Sequence, residues 1–430
     1  MQIYSLMMAL LLGWPIYNII LSLLSLRTPL PGATGAGRPS SCFWLVVPAL
    51  DEELVIADTV RSLLTLADGE NRLRVLVVDD GSNDRTSTVL KAVDDDRMMV
   101  LRRDPPEARQ GKGAALNAAY RLIRDLAREE GTADETVVGV VDADGRVSRN
   151  LLTEVDRYLA DGTSGAVQCR VRIRNRHKLL GLLQDIEFGC VADAAQTVRD
   201  TVGTVALGGN GQFVKLSVLM AFGNDPWSSC LVEDTELGLR LHRAGVRVRY
   251  VRRAVVTQQA VVDIRRLVRQ RARWAQGNLQ CARHLPGLLA SRHISALGLV
   301  DLLHYLIVPW FVPLFTLLAL LFLGIAIQVG LGGTALFPIA SGTADAASAW
   351  LTWLGALLLP GTVWGITHRL RSRDEPLWRC VATSMTYPVF LVLGSLAGCR
   401  GVVRHVGGRA DWMKTERLAE PAVVEGRRAS

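Results

Sequence analysis

None of the seven cysteines forms a C-x-x-C pair with another. The chain therefore signals neither a zinc site nor a disulfide framework, and it suits a reducing compartment. No G-x-G-x-x-G follows the first apolar run, where "PALDEE" (48–53) stands instead, which argues against a Rossmann dinucleotide site. No G-x-x-x-x-G-K-[ST] occurs, and "GKG" at 111–113 matches only a fragment of one. No Lys or Arg precedes Arg27, whereas a secretory leader needs a basic start. The positive excess is small: 49 Lys and Arg against 41 Asp and Glu give +8. That is mild for a nucleic-acid binder and equally suited to an anionic lipid surface, so no nucleic-acid partner is expected.

The 430 residues, 49% of them apolar, allow one large or two medium domains. Residues 3–26 carry no charge and are long enough to span a bilayer. Further apolar stretches occur near 305–328, 346–366 and 380–398. Lys and Arg are dense over 27–285, over 369–379 and in the tail, whereas 329–348 has none. Positive residues mark the cytoplasmic side. The expected organisation is a transmembrane helix (1–27), a cytoplasmic domain (40–260), amphipathic interfacial helices (261–295), a membrane region (296–400) and a basic tail (401–430). If 380–398 crossed fully, the basic tail would lie outside, so that segment is expected to be re-entrant or interfacial. The protein is expected in the plasma membrane as a multi-pass chain.

Between these regions, strand-like and helix-like runs alternate. "CFWLVVPAL" (42–50), "LRVLVVDD" (73–80), "MMVLRR" (98–103) and "TVVGVVDAD" (136–144) read as strands. Residues 54–64 and 111–130 read as helices. The pattern predicts an α/β fold with a mainly parallel sheet covered on both faces. Ligands of such sheets sit beyond the carboxyl ends of the strands. Three of those ends carry acids: Asp51, then Asp79 and Asp80, then Asp142 and Asp144. Read as strand positions, Asp142 and Asp144 share a face and repel unless a cation or ligand intervenes. One aspartate would suffice for a helix cap, and a calcium loop fails because Gly145 comes too early. A divalent cation between Asp144 and a diphosphate resolves the repulsion, and Lys112 adds positive charge.

The motifs "VVPALDEE", "VVDDGSNDRT", "GKGAALNAA" and "DADG" together resemble the nucleotide-sugar-binding half of glycosyltransferase family 2. "LGGNGQFVKLSVL" (207–219), "LVEDTELGLRLHRAGVRVRYV" (231–251) and "QRARWAQGN" (270–278) extend the resemblance. The last matches the Q-x-x-R-W of membrane-embedded members such as cellulose, chitin, hyaluronan and poly-N-acetylglucosamine synthases. Asp51 stands where Asn is common, and Val232 where Thr is usual. The resemblance implies a GT-A-like domain with α-helical transmembrane segments, a UDP-sugar donor and Mg2+ or Mn2+.

Residue by residue, it implies donor contacts from Asp51, Asp80, Lys112, Asp142, Gln270 and Arg273, with the metal on Asp144. It places Asp234 as the general base, and Gly209, Asn210, Glu233 and Trp274 on the acceptor side. The chemistry agrees: inverting transfer needs a carboxylate facing the attacking hydroxyl and positive charge at the departing diphosphate. "DWMKTERL" (411–418) resembles a gating segment, with Trp412, Lys414, Thr415 and Arg417 as its working residues. On the helix 261–283, Ile264, Leu267, Val268, Trp274 and Ala275 form an apolar stripe beside Arg265, Arg266, Arg269 and Arg273, a pattern suited to a lipid interface. Arg170, Arg172, Arg174 and Arg176 share strand parity; they read as a solvated edge-strand face or a site for lipid phosphates or an anionic acceptor.

The leading functional expectation is a membrane-bound inverting glycosyltransferase that extends a cell-surface or extracellular polysaccharide. Three or four membrane segments are few for a closed polymer channel, so extrusion would call on a partner chain or a dimer. The alternatives are transfer of one sugar to a lipid acceptor, and a transporter or structural membrane protein whose cytoplasmic domain only binds nucleotide.

Overall fold

The computed structural model describes residues 2–29, 41–66, 72–160, 162–330, 343–408 and 418. Eight strands form one sheet: β1 (Cys42–Ala49), β2 (Arg72–Asp79), β3 (Met98–Arg102), β4 (Thr136–Val140), β5 (Arg146–Val147), β6 (Ala166–Ile173), β7 (Gln212–Lys215) and β8 (Val248–Gln258). Their order is β3-β2-β1-β4-β7-β6-β8-β5. β1, β2, β3 and β4 pair in parallel, as do β6 and β8, while β7 runs antiparallel to both β4 and β6. The sheet is thus mixed but mostly parallel.

Alternation within the Val-rich strands builds two cores. Phe43, Leu45, Val47, Val75 and Val77 face the helix Ile56–Leu64. Trp44, Val46, Leu76 and Val78 face the helix Lys112–Glu129. Both faces are covered, so the strands are buried on both sides. Reversal of β7 has a functional effect: its amino-terminal end, and the glycine segment leading into it, lie on the same rim as the carboxyl ends of β1, β2 and β4.

Two expectations change. β4 stops at Val140, and Asp142–Asp144 lie on a turn closed by the Gly145 N–H donating to Asp142 O (2.7 Å). The two carboxylates therefore do not share a strand face. Asp142 turns toward Lys112, and Asp144 turns inward and is fully buried. Second, β6 lies between β7 and β8 and is no edge. Arg170 and Arg172 are buried. Arg172 forks onto Asp185 (2.8 and 2.5 Å) and reaches Asp374 (2.9 Å). Arg170 and Arg252 face Asp193 (3.4 and 3.2 Å), and Arg371 Nε donates to the same carboxylate (2.8 Å). Arg174 donates to Asp144 O (2.8 Å), and Arg176 pairs with Asp374. Strand parity was legible in the sequence. The acids that consume these charges come from a helical layer at 185–193 and from residues two hundred positions away.

The remaining helices pack beside the sheet domain. The helix Gln2–Arg27 lies along Thr343–Ser372, with Trp364 Nε1 donating to Asn18 Oδ1 (2.6 Å) and Ser22 and Thr367 hydroxyls bonded (2.6 Å). Ala296–Gly330 contains Pro309 and Pro313 and bends by 49° between its segments Ala296–Phe311 and Pro313–Leu321, as prolines that remove helix hydrogen bonds do. Among the described residues, Tyr387–Val406 by itself is long and apolar enough to cross a bilayer, and that bent pair is a second candidate.

Leu377–Ser384 starts at Asp374–Arg379, which hold Arg172 and Arg176, and runs back along Thr343–Ser372 with Ser384 O against Gly361. Tyr387–Val406 then returns. Ser395 bonds Thr316 (2.7 Å), Gly401 rests on Ala272, and Arg404 donates to Gln276 Oε1 (3.1 Å). Both ends of this helical pair thus meet the sheet domain.

Candidate active site

Lys112 opens the helix Lys112–Glu129, and its ammonium donates to Asp142 Oδ1 (2.6 Å) and Gly209 O (2.7 Å). The next residue, Gly113, could carry no side chain: a Cβ there would stand 2.3 Å from Ser228 O. That close approach brings the helix start against the loop leading into the helix Glu233–Arg243. On that helix, Asp234 Oδ1 accepts the Thr235 N–H (2.7 Å). A Cβ on Gly209 would stand 2.9 Å from Lys112 Nζ and 3.2 Å from Asp234 Oδ2. Lys112, Asp142, Gly209 and Asp234 therefore share one small space on the rim.

The electrostatics match the packing. Burial alone would lower Lys112, but Asp142, Glu233 and Asp234 outweigh it and hold it above its ordinary value. Burial raises Asp234, against the pull of Lys112. Glu233 is pushed up to about 7 by burial and by adjacent Asp234, with Lys112 and Arg273 pulling the other way. Enclosure thus holds both carboxyls above their ordinary values. Arg273 and Trp274 lie on the helix Ile264–Cys281, with half-buried Gln270 one turn earlier. Trp274 packs edge-on to Phe188 (6.1 Å) and under Arg271 (4.5 Å), whose guanidinium forks onto Glu187 (2.6 and 2.5 Å). Val232 packs against Gly277 of this helix, which accounts for an apolar residue where Thr is usual in the resemblance.

The other predicted donor residues lie along the rim. Asp80 accepts from Arg103 Nη1 (2.6 Å) and the Arg109 N–H (3.1 Å), and burial still raises it. Asp51 has φ +53°, a left-handed conformation that Asp and Asn tolerate better than most residues. Its Oδ1 accepts the Asn83 N–H (2.7 Å). Asp79 is fully buried and spent on Ser82, Ser87 and Arg102. Asp79, Asp80 and Asp142 are thus each paired with a cation of the chain itself, Arg102, Arg103 and Lys112.

Asn210 Oδ1 accepts the Asp142 N–H (3.2 Å), its Nδ2 donates to Gln258, and its carbonyl accepts from Gln168 Nε2 (2.9 Å). It braces the glycine segment. Gln168, Arg103 and Arg109 escaped the sequence reading. Arg103 directly follows β3 at the carboxyl-end rim, and that position was the available signal. Trp412, Lys414, Thr415 and Arg417 lie outside the described residues.

Among the described residues no group of three His, Cys, Asp or Glu could hold a metal by itself. Asp144 Oδ2 accepts the Gln259 N–H (2.8 Å), a bond that orients a ligand carboxylate. An oxygen-only donor completed by a diphosphate and water suits Mg2+ or Mn2+.

Residues 39–277 match the family described as glycosyltransferase like family 2. A β-monoglucosyldiacylglycerol synthase of Synechocystis sp. is 31% identical over 288 residues, 64% of this chain and 55% of that protein. A poly-β-1,6-N-acetyl-D-glucosamine synthase of Staphylococcus aureus is 28% identical over 233 residues, 53% and 52% of the two chains. The chain spans about half the length of the curated relatives it matches. A mannosyltransferase of Pyrobaculum calidifontis, solved with GDP-Man and Mn2+, superposes with TM-score 0.58 at 19% identity, covering 94% of this chain and 98% of that one; it shares the fold. The matched segment runs from the first strand through the helix that carries Gln270, Arg273 and Trp274, and the chain belongs to glycosyltransferase family 2.

Proposed function

We propose that the protein is a membrane-bound inverting glycosyltransferase that moves a hexosyl group from a UDP-sugar to the hydroxyl of a lipid acceptor. The single observation that carries the reaction type is the placement of Asp234 Oδ2 across Gly209 from Lys112. Asp234 takes the proton from the acceptor hydroxyl as its oxygen bonds to the anomeric carbon. On the opposite face the bond from that carbon to the diphosphate oxygen breaks, and UDP leaves with the electron pair. Lys112 and Arg273 stabilise the charge that develops there. Bound Mg2+ or Mn2+, held by Asp144 together with the diphosphate, would neutralise the same leaving group.

The lipid acceptor is supported by the diacylglycerol named in the Synechocystis relative, which reverses the order of acceptors expected from sequence. Polysaccharide extension is the second reading, favoured by the S. aureus relative. The helical region is read as multi-pass in the plasma membrane, with the sheet domain cytoplasmic and the segment 380–398 spanning or re-entrant. Asp234→Asn tests the base. Products from radiolabelled UDP-glucose, UDP-N-acetylglucosamine and UDP-galactose, separated by size, test the acceptor; a polymer product overturns the lipid reading.

A further inference from the structure

The helices beside the sheet domain form a half-open apolar cavity of about 230 Å3, walled by residues that include Trp14, Phe315, Leu323, Trp353, Ala356 and Tyr387. Two polar groups in its wall are bonded within the protein, Thr316 to Ser395 (2.7 Å) and Trp353 Nε1 to Ala319 O (3.1 Å), while Trp14 Nε1 is buried without a hydrogen-bond partner among the described residues. An apolar cavity of roughly 150 Å3 stays dry and accepts apolar molecules, so this larger one has the chemistry for hydrocarbon and not for sugar. A line of packed side chains joins its wall to the helix that carries Arg273. From Tyr387 in the wall, an aromatic and guanidinium column passes to Phe390 (6.2 Å), Arg271 (5.8 Å) and Trp274 (4.5 Å). Trp274 directly follows Arg273, whose charge acts on Glu233.

We infer that this cavity holds one acyl chain of the acceptor, and that it selects acceptors by chain length. The inference rests on the lipid-acceptor reading and adds to it a specificity-determining site remote from the sugar chemistry. Its walls come from the helices Gln2–Arg27, Ala296–Gly330, Thr343–Ser372 and Tyr387–Val406, none of which lies in the matched family segment at 39–277. Chain selectivity would thus be a property of the helices and not of the sheet domain.

The test uses the full chain in nanodiscs, with UDP-sugar and diacylglycerols of about six to eighteen carbons per chain, since each buried methylene adds to binding. In the wild type, kcat/KM should rise with chain length and then level off. Ala356→Phe, which fills the cavity, should lower kcat/KM for long-chain diacylglycerol at least tenfold through KM. Short-chain acceptors and acceptor-independent UDP-sugar hydrolysis should change less than twofold. In the wild type alone, a diacylglycerol with a terminal diazirine should label the peptide around Tyr387–Val392, and unlabelled diacylglycerol should compete. The inference fails if lipid is glycosylated equally by both proteins at every chain length. It also fails if a diazirine phosphatidylcholine labels that peptide and diacylglycerol does not displace it, because the cavity then holds bulk lipid. If no diacylglycerol is glycosylated and a polymer forms instead, the acceptor reading itself falls first.

Discussion

Gly209→Ala isolates the placement of the proposed base from its chemistry. The added methyl would stand 2.9 Å from Lys112 Nζ and 3.2 Å from Asp234 Oδ2. Ordinary contact begins near 3.4 Å, so Lys112 must withdraw by about half an ångström and Asp234 by less. Both are ends of side chains and can move, so the backbone should hold and stability should change little. Catalysis is less tolerant: a misplacement of about 1 Å can cost on the order of 10²-fold in rate, and half of that should cost roughly tenfold. Withdrawal of Lys112 also loosens its bonds to Asp142 and Gly209 O, so the donor KM should rise as well. The assay pairs initial rates of UDP release, at saturating and subsaturating donor, with a thermal melt. The expected result is a kcat about 10- to 100-fold lower, a raised donor KM and a melting temperature within a few degrees of wild type. An alanine variant with wild-type kcat would refute the reasoning, because the space between Lys112 and Asp234 would then not be where reaction occurs.

Asp234→Asn should lower kcat by about 10²–10⁴-fold, the usual contribution of a general base, while circular dichroism and melting stay near wild type. Glu233→Gln tests the raised carboxyl through stability. Because folding raises Glu233 from 4.5 to about 7, the wild type loses stability relative to the variant as pH rises through that window, by up to about 3 kcal/mol; parallel melts at pH 4.5 and pH 8 that show a constant difference would contradict it. Removing divalent ions with a chelator should abolish sugar transfer, and Mn2+ or Mg2+ should restore it; full activity in chelator removes the role given to Asp144. Arg172→Met should depress the melting temperature, since buried Asp185 loses its bidentate partner and keeps, among the described residues, only the Ile173 N–H and the more distant Arg176 and His368, a loss of up to about 3–5 kcal/mol.

The sheet was legible because β1, β2 and β4 are continuous apolar runs whose burial on both faces leaves a plain trace in the sequence. The acids at their ends were legible for the same reason. What those acids do was less so. Asp79 and Asp80 are neighbours with opposite fates, one locked under Arg102 and the other held by Arg103 at the rim, and only the register of β3 decides it. Asp142 and Asp144 read as one strand face, yet a hydrogen bond to Asp142 O turns them apart. The arginine ladder of β6 showed its parity but not its cover, because Asp374 and Arg371 reach it from the far end of the chain. The rise of Glu233 above the ordinary carboxylate range has no signature in composition: it arises from enclosure and from adjacent Asp234, against the pull of Lys112.

Asp193 is gripped at once by strand residues Arg170 and Arg252 and by Arg371 from a helix of the apolar bundle. Such a three-way knot fastens the sheet to the helix Thr343–Ser372 through one buried carboxylate. In the membrane reading proposed above, it would set the height of the site over the lipid, and donor and acceptor would have to reach it from water on one side and from the leaflet on the other.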